Sequence, residues 1–87
     1  MTELRLRAVK LEWVETDGQI IALDETTLIY MSANESGAFL WQQLADGTTR
    51  EQLVARLAET FGIDAQAAAA DVDDFLSQLD ARELLEH

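Results

Sequence analysis

Along the first third of the chain, apolar and polar residues alternate or gather in short bursts, punctuated by Asp17-Gly18 and then Asp24-Glu25-Thr26. A period of two marks a half-buried strand, and Asp-Gly between two such bursts suits a two-residue hairpin turn because both positions accept positive φ. The pattern predicts strands near Leu11–Glu15, Gln19–Leu23 and Thr27–Met31, joined as a three-stranded antiparallel meander. Leu4-Arg5-Leu6-Arg7 alternates as well, so either the first strand begins earlier or a short extended arm precedes it.

From Asn34 the period changes. Phe39, Leu40, Trp41 and Leu44 fall at helical spacing, with Asn34 as a plausible N-cap and Gly47 as the stop. This predicts a first helix of about ten residues. Thr48 or Thr49 caps a second helix carrying Leu53, Val54, Leu57 and Phe61 on one face and ending at Gly62, with Thr48 and Glu51 spaced as a capping box. Asp64 caps the third and longest helix, whose stripe is Ala68, Val72, Phe75, Leu76 and Leu79. The predicted class is α+β with the order βββααα, a winged-helix-like arrangement whose sheet precedes its helices. Trp13, Phe39, Trp41, Phe61 and Phe75 are expected in the core, since bulky aromatics at these periods are usually packing residues.

Length and composition narrow the picture. A chain of 87 residues with 48% hydrophobic positions has material for one small core, so residues 1–87 are read as a single domain. Uninterrupted apolar runs reach only four residues, as in Ile20–Leu23, far from a membrane span. The N-terminal Met-Thr-Glu-Leu-Arg-Leu-Arg has no apolar targeting core, which points to the cytoplasm. With no cysteine and a single histidine, His87, there is neither a disulfide framework nor a thiolate or imidazole metal site. Asp and Glu total 17 against 6 Lys and Arg, a net charge of −11 that repels a phosphate backbone.

No catalytic constellation emerges. Ser32, Ser36 and Ser77 have no histidine or lysine at a helpful spacing, and the single glycines do not form a phosphate loop. No serine follows an aspartate, as a phosphopantetheine carrier would require, so no cofactor is expected. Asp71, Asp73 and Asp74 read as a solvated helix face, because neighbouring helix positions diverge and no calcium loop accompanies them. The same acidic face on the third helix argues against DNA recognition. Arg5, Arg7 and Lys10 read as a solvated flank.

What remains is a small open sheet. Its last strand, Thr27–Met31, is an edge, and edges with unpaired N–H and C=O groups accept extended peptides as added strands. Here the residues match a family pattern: Asp17-Gly18, Ile20–Leu23, Leu28-Ile29-Tyr30, Asn34-Glu35-Ser36-Gly37-Ala38-Phe39-Leu40-Trp41, Leu44 and Gly47. Leu53, Leu57, Phe61, Asp71-Val72, Phe75-Leu76, Leu79 and Leu84-Leu85 continue it over nearly the whole chain. The sequence resembles PqqD-like proteins, the RiPP recognition elements, and within them the stand-alone recognition proteins of lasso peptide biosynthesis. It departs in having Ala33 where a leucine is usual and Glu83 where a glycine is common.

The resemblance implies a non-catalytic domain that binds the leader segment of a precursor peptide as a strand on the third strand, against the third helix. A leader peptidase and a macrocyclising synthetase would be its pathway partners. On this expectation Thr27, Leu28, Ile29, Tyr30 and Met31 supply the edge, and Ala69, Val72, Asp73, Leu76 and Asp80 line the opposing wall. Val72 and Leu76 fit a structural core equally well, and Asp73 and Asp80 are either solvated or paired with a basic leader residue. A proline at Ile29 is expected to block the added strand if its N–H faces the ligand, and a charge at Trp41 to unfold the domain. Two alternatives stay open: a PqqD-like chaperone for a radical or other peptide-modifying enzyme, and an acidic winged-helix regulator or dimer module.

Overall fold

The computed structural model describes residues 3–86; Met1, Thr2 and the lone His87 lie outside the described residues. The elements are β1 (Glu3–Leu6), β2 (Leu11–Thr16), β3 (Gln19–Asp24), β4 (Ile29–Ala33), α1 (Glu35–Asp46), β5 (Thr48–Thr49), α2 (Arg50–Phe61), α3 (Ala65–Ala81) and β6 (Leu85–Glu86). The α+β class and the meander-then-helices order are as expected. β2, β3 and β4 form the antiparallel meander, in that order across the sheet.

Two short strands, β5 and β6, were not anticipated, and the extended N-terminal arm proves to be a strand of its own. The alternating N-terminal segment is a separate strand, β1, at the centre of a second small sheet ordered β5-β1-β6. Leu4 pairs with Thr48 and Leu6 with Leu85, so β1 joins the α1–α2 connection to the end of the chain.

The third meander strand begins two residues later than its apolar pattern suggests. Asp24 Oδ1 accepts from the Thr26 N–H, and the Asp24 carbonyl accepts from the Leu28 N–H, which closes a turn over Glu25, Thr26, Thr27 and Leu28. Leu28 sits at φ 59 within that turn. An aspartate binding its own downstream backbone thus overrides the apolar character of Leu28. The other hairpin is as read, with Asp17 at φ 53 and Gly18 at φ 75 closing Thr16 on Gln19.

The helix caps follow local chemistry. Asn34 accepts from the Gly37 N–H and Asp64 from the Ala67 N–H, while α1 and α2 stop at Gly47 and Gly62. On α2 the cap is Thr49, which accepts from Gln52 N–H; the expected Thr48–Glu51 box does not form. Thr48 is instead buried in β5, its hydroxyl donating to Gln52 Oε1.

Ile20 and Ala22 from β3, Leu40, Trp41 and Leu44 from α1, Leu53 and Leu57 from α2, and Val72 and Leu79 from α3 form the centre of the core. Among the aromatics only Trp41 is fully buried; Phe39, Phe61 and Phe75 sit at the margin. Trp13 corrects the expectation furthest, being 36% exposed and resting edge-on against Trp41 with ring centroids 6.0 Å apart. β2 is a sheet edge, so its side chain has cover on one side only.

Arg7 is not part of a solvated flank. Its guanidinium donates to the carbonyls of Val9 and Glu83 and to the Asp24 carboxylate at 2.8 Å, tying the β1–β2 connection to the end of α3 and the β3–β4 turn. Burial pushes the Asp24 carboxyl up, but the bonds from Thr26 N–H and Arg7 outweigh it and leave its pKa below the ordinary value.

Glu83 stands at φ 58, in the left-handed region. A side chain there costs about 1 kcal/mol that glycine avoids, which accounts for the glycine common at this position in the family it resembles. Glu83→Gly is therefore expected to raise stability by up to about 1 kcal/mol, read as a higher thermal midpoint.

Candidate functional site

β4 is the outer strand of the meander, hydrogen-bonded to β3 alone within it. Which of its backbone groups remain open follows from the turns. The two-residue turn makes Thr16 and Gln19 a hydrogen-bonded pair, and the parity continues to the Glu25 N–H, which donates to the Lys10 carbonyl. Antiparallel pairs alternate between bonded and non-bonded. Ile20, Ala22 and Asp24 therefore bond toward β4, opposite Ala33, Met31 and Ile29. The N–H and C=O groups of Tyr30 and Ser32 consequently point away from the sheet, at the open border.

Beside that border runs a groove in two compartments that meet at Met31. The first, of ≈ 260 Å³, lies between the start of β4 and the end of α3, with Ile29, Met31, Ala81 and Leu84 as its apolar lining and Asp24, Arg82 and Glu83 at its rim. The second, of ≈ 300 Å³, lies between Ala33, the start of α1 and the middle of α3. Leu40, Phe75 and Leu79 supply its apolar lining; Asn34, Ser36, Asp71, Asp74 and Gln78 supply polar groups. Gly37 permits this close approach: a Cβ there would lie 3.3 Å from the Phe75 ring and 3.1 Å from the Ala33 Cβ.

The expected edge residues divide. Ile29 and Met31 line the groove, and Tyr30 contributes open backbone while its ring is 71% exposed on the outer sheet face. Thr27 reaches the first compartment from the turn, whereas Leu28 belongs to that turn and does not line the groove. The parity also reverses the expectation for Ile29. Its N–H faces β3, so Tyr30 and Ser32 are the positions where a proline meets an incoming strand.

The α3 wall differs more. At about 100° per residue, Asp71, Asp74, Phe75 and Gln78 form the stripe that faces β4 and α1. Ala69, Val72, Asp73, Leu76 and Asp80 are not among the groove-lining residues. Val72 is fully buried, Leu76 packs against the core, Ala69 is half-buried, and Asp80 is exposed on the helix side away from the stripe. Asp73 is held by Arg50 of α2 through bonds of 2.6 and 2.9 Å. That bond keeps the Asp73 carboxyl below its ordinary pKa, against the opposing push of desolvation. The helix was read by its apolar stripe, but Val72 and Leu76 face the core and the α2 side. The groove wall is the partly polar flank, which in sequence looks like any solvated surface.

The chemistry available here is recognition. Among the described residues no group of three or more His, Cys, Asp or Glu is placed to hold a metal ion, and no helix is long and apolar enough to cross a membrane.

Residues 19–85 match the family described as coenzyme PQQ synthesis protein D. No curated protein sequence matches the chain. Two solved structures share its fold. One is of TbiB1 in complex with the TbiA(beta) leader peptide, 24% identical, with a TM-score of 0.86 over 94% of each chain. The other is of a lasso peptide synthetase B1 complexed with the leader peptide, 22% identical, with a TM-score of 0.85 over 99% of this chain and 100% of that one.

Proposed function

The chain belongs to the PqqD family, and from that premise we propose that it is a leader-binding RiPP recognition element of lasso peptide type. It takes the leader of a ribosomally made precursor as a fourth strand on β4. Without catalysing a reaction itself, it presents that peptide in the cytoplasm to a leader peptidase and a macrocyclising synthetase. The observation that carries this reading is the open border at Tyr30 and Ser32, lying directly above a groove walled by α3. The two solved proteins of the same fold were each captured with a leader peptide.

The magnitudes are sufficient. Four backbone bonds at Tyr30 and Ser32 contribute about 1 kcal/mol each, and two or three buried leader side chains about 1.5–3 kcal/mol each. Ordering a flexible leader takes several kcal/mol back. Toward the upper end of these ranges the remainder reaches the roughly 8 kcal/mol of a Kd near about 1 μM.

The family is described by a different pathway, coenzyme PQQ synthesis, which leaves one further reading: a peptide chaperone for another modifying enzyme, such as a radical enzyme. Both use the same edge and differ in the enzymes served. Calorimetric titration with the leader encoded beside this gene tests the shared part. Saturable one-to-one binding in the micromolar range or tighter supports it, and heats no larger than dilution contradict it. The enzymes encoded in the same cluster then separate the two readings.

A further inference from the structure

Resting on strand addition at β4, we infer that the groove selects a leader segment with a lysine or arginine four residues before an apolar side chain, and so fixes the direction in which the leader lies. An added strand antiparallel to β4 meets Ala33 first, Met31 next and Ile29 last. Its side chains opposite these three residues share their face and point into the groove, because successive strand residues alternate between faces. The first of the three enters the compartment of Asp71 and Asp74, and the third enters the compartment of Ile29 and Leu84.

The two ends differ in charge. At the α1 end, Asp71 and Asp74 project from successive turns of α3, and neither takes part in an ion pair among the described residues; Gln78 donates one bond of 3.1 Å to Asp74. The positive end of the α1 dipole opposes a cation there, but it amounts to only about half a charge. It is already answered by the Asn34 side chain, which accepts from Gly37 N–H, and by Glu35 in the first turn. Two full carboxylates outweigh what remains. At the other end the charges cancel: Asp24 is engaged by Arg7, and Arg82 and Glu83 stand together at the rim. A basic residue seated first, with an apolar one following four positions later, satisfies both ends; the reversed peptide brings its cation to the end where the charges cancel and its apolar side chain to the two carboxylates. The charge of −11 over the chain draws such a segment in from a distance.

The test uses the leader peptide encoded beside this gene and the full chain. Asp71→Asn/Asp74→Asn, at exposed positions that leave the core intact, is expected to raise Kd about tenfold at low salt, with the difference shrinking as salt is added. Changing the leader's basic residue to glutamate should weaken binding to the native chain, and Asp71→Lys/Asp74→Lys should recover that peptide. Binding of the native leader unchanged by the Asn pair, or a leader with no basic residue at that spacing, overturns the inference while leaving strand addition standing. No binding by the native chain to the native leader overturns both.

Discussion

Tyr30→Pro is expected to weaken leader binding by about 30-fold or more while the domain stays folded. Proline removes the outward N–H at the middle of the open border, and its ring occupies the space that an incoming strand needs. At least two of the four backbone bonds are then lost, about 2–3 kcal/mol, which is about 30- to 100-fold in Kd. The β3–β4 ladder is spared because the Tyr30 N–H takes no part in it, and sheet edges are where proline is tolerated. Two controls locate the effect. Tyr30→Ala retains the N–H and is expected to bind nearly as well as the native chain, whereas Met31→Pro removes a group that bonds to β3 and should lower the thermal midpoint. Equal loss of binding in the alanine and proline variants would assign the effect to the tyrosine ring and not to the border.

Trp41→Ala should strip the chain of most of its stability at 25 °C, and Trp41→Asp should leave it largely unfolded. Trp41 is the largest fully buried side chain, at the middle of α1 and against Trp13. Truncating a buried tryptophan costs about 3–5 kcal/mol, and a domain of this size has total stability of only about 5 kcal/mol or somewhat more. A buried charge adds an unpaired group to the cavity. Trp41→Phe is the informative contrast. The indole Nε1–H is buried without a hydrogen-bond partner among the described residues, so phenylalanine removes an unsatisfied donor while keeping an aromatic ring in place. Its cost should stay near or below about 1.5 kcal/mol. Chemical denaturation followed by circular dichroism ranks the three variants, and a phenylalanine variant as damaged as alanine would contradict this ordering.

What could be read from sequence was what local chemistry decides. Asp17-Gly18 announced its turn, and Asn34 and Asp64 announced their helices through the side-chain oxygens that bind backbone N–H groups three residues on. The alternation of β1 was legible, but its sheet was not, because β5 and β6 are strands of two residues that exist only where a distant segment supplies their partner. The late start of β4 was hidden by Leu28, an apolar residue that an aspartate-closed turn holds outside the sheet. The groove wall was hidden for a different reason. Asp71, Asp74 and Gln78 have the composition of a solvent-facing flank, and only the placement of α3 against α1 turns that flank toward β4. Asp73, chosen from the same cluster, faces Arg50 of α2.

Amide hydrogen exchange at Tyr30 and Ser32, read residue by residue in the free chain and with saturating leader, tests the open border most directly. The account predicts fast exchange at both positions in the free protein and strong protection on binding, with the Ile29 and Met31 amides protected in both states. Tyr30 and Ser32 amides already protected without peptide, or still exchanging freely under saturating peptide, would contradict it.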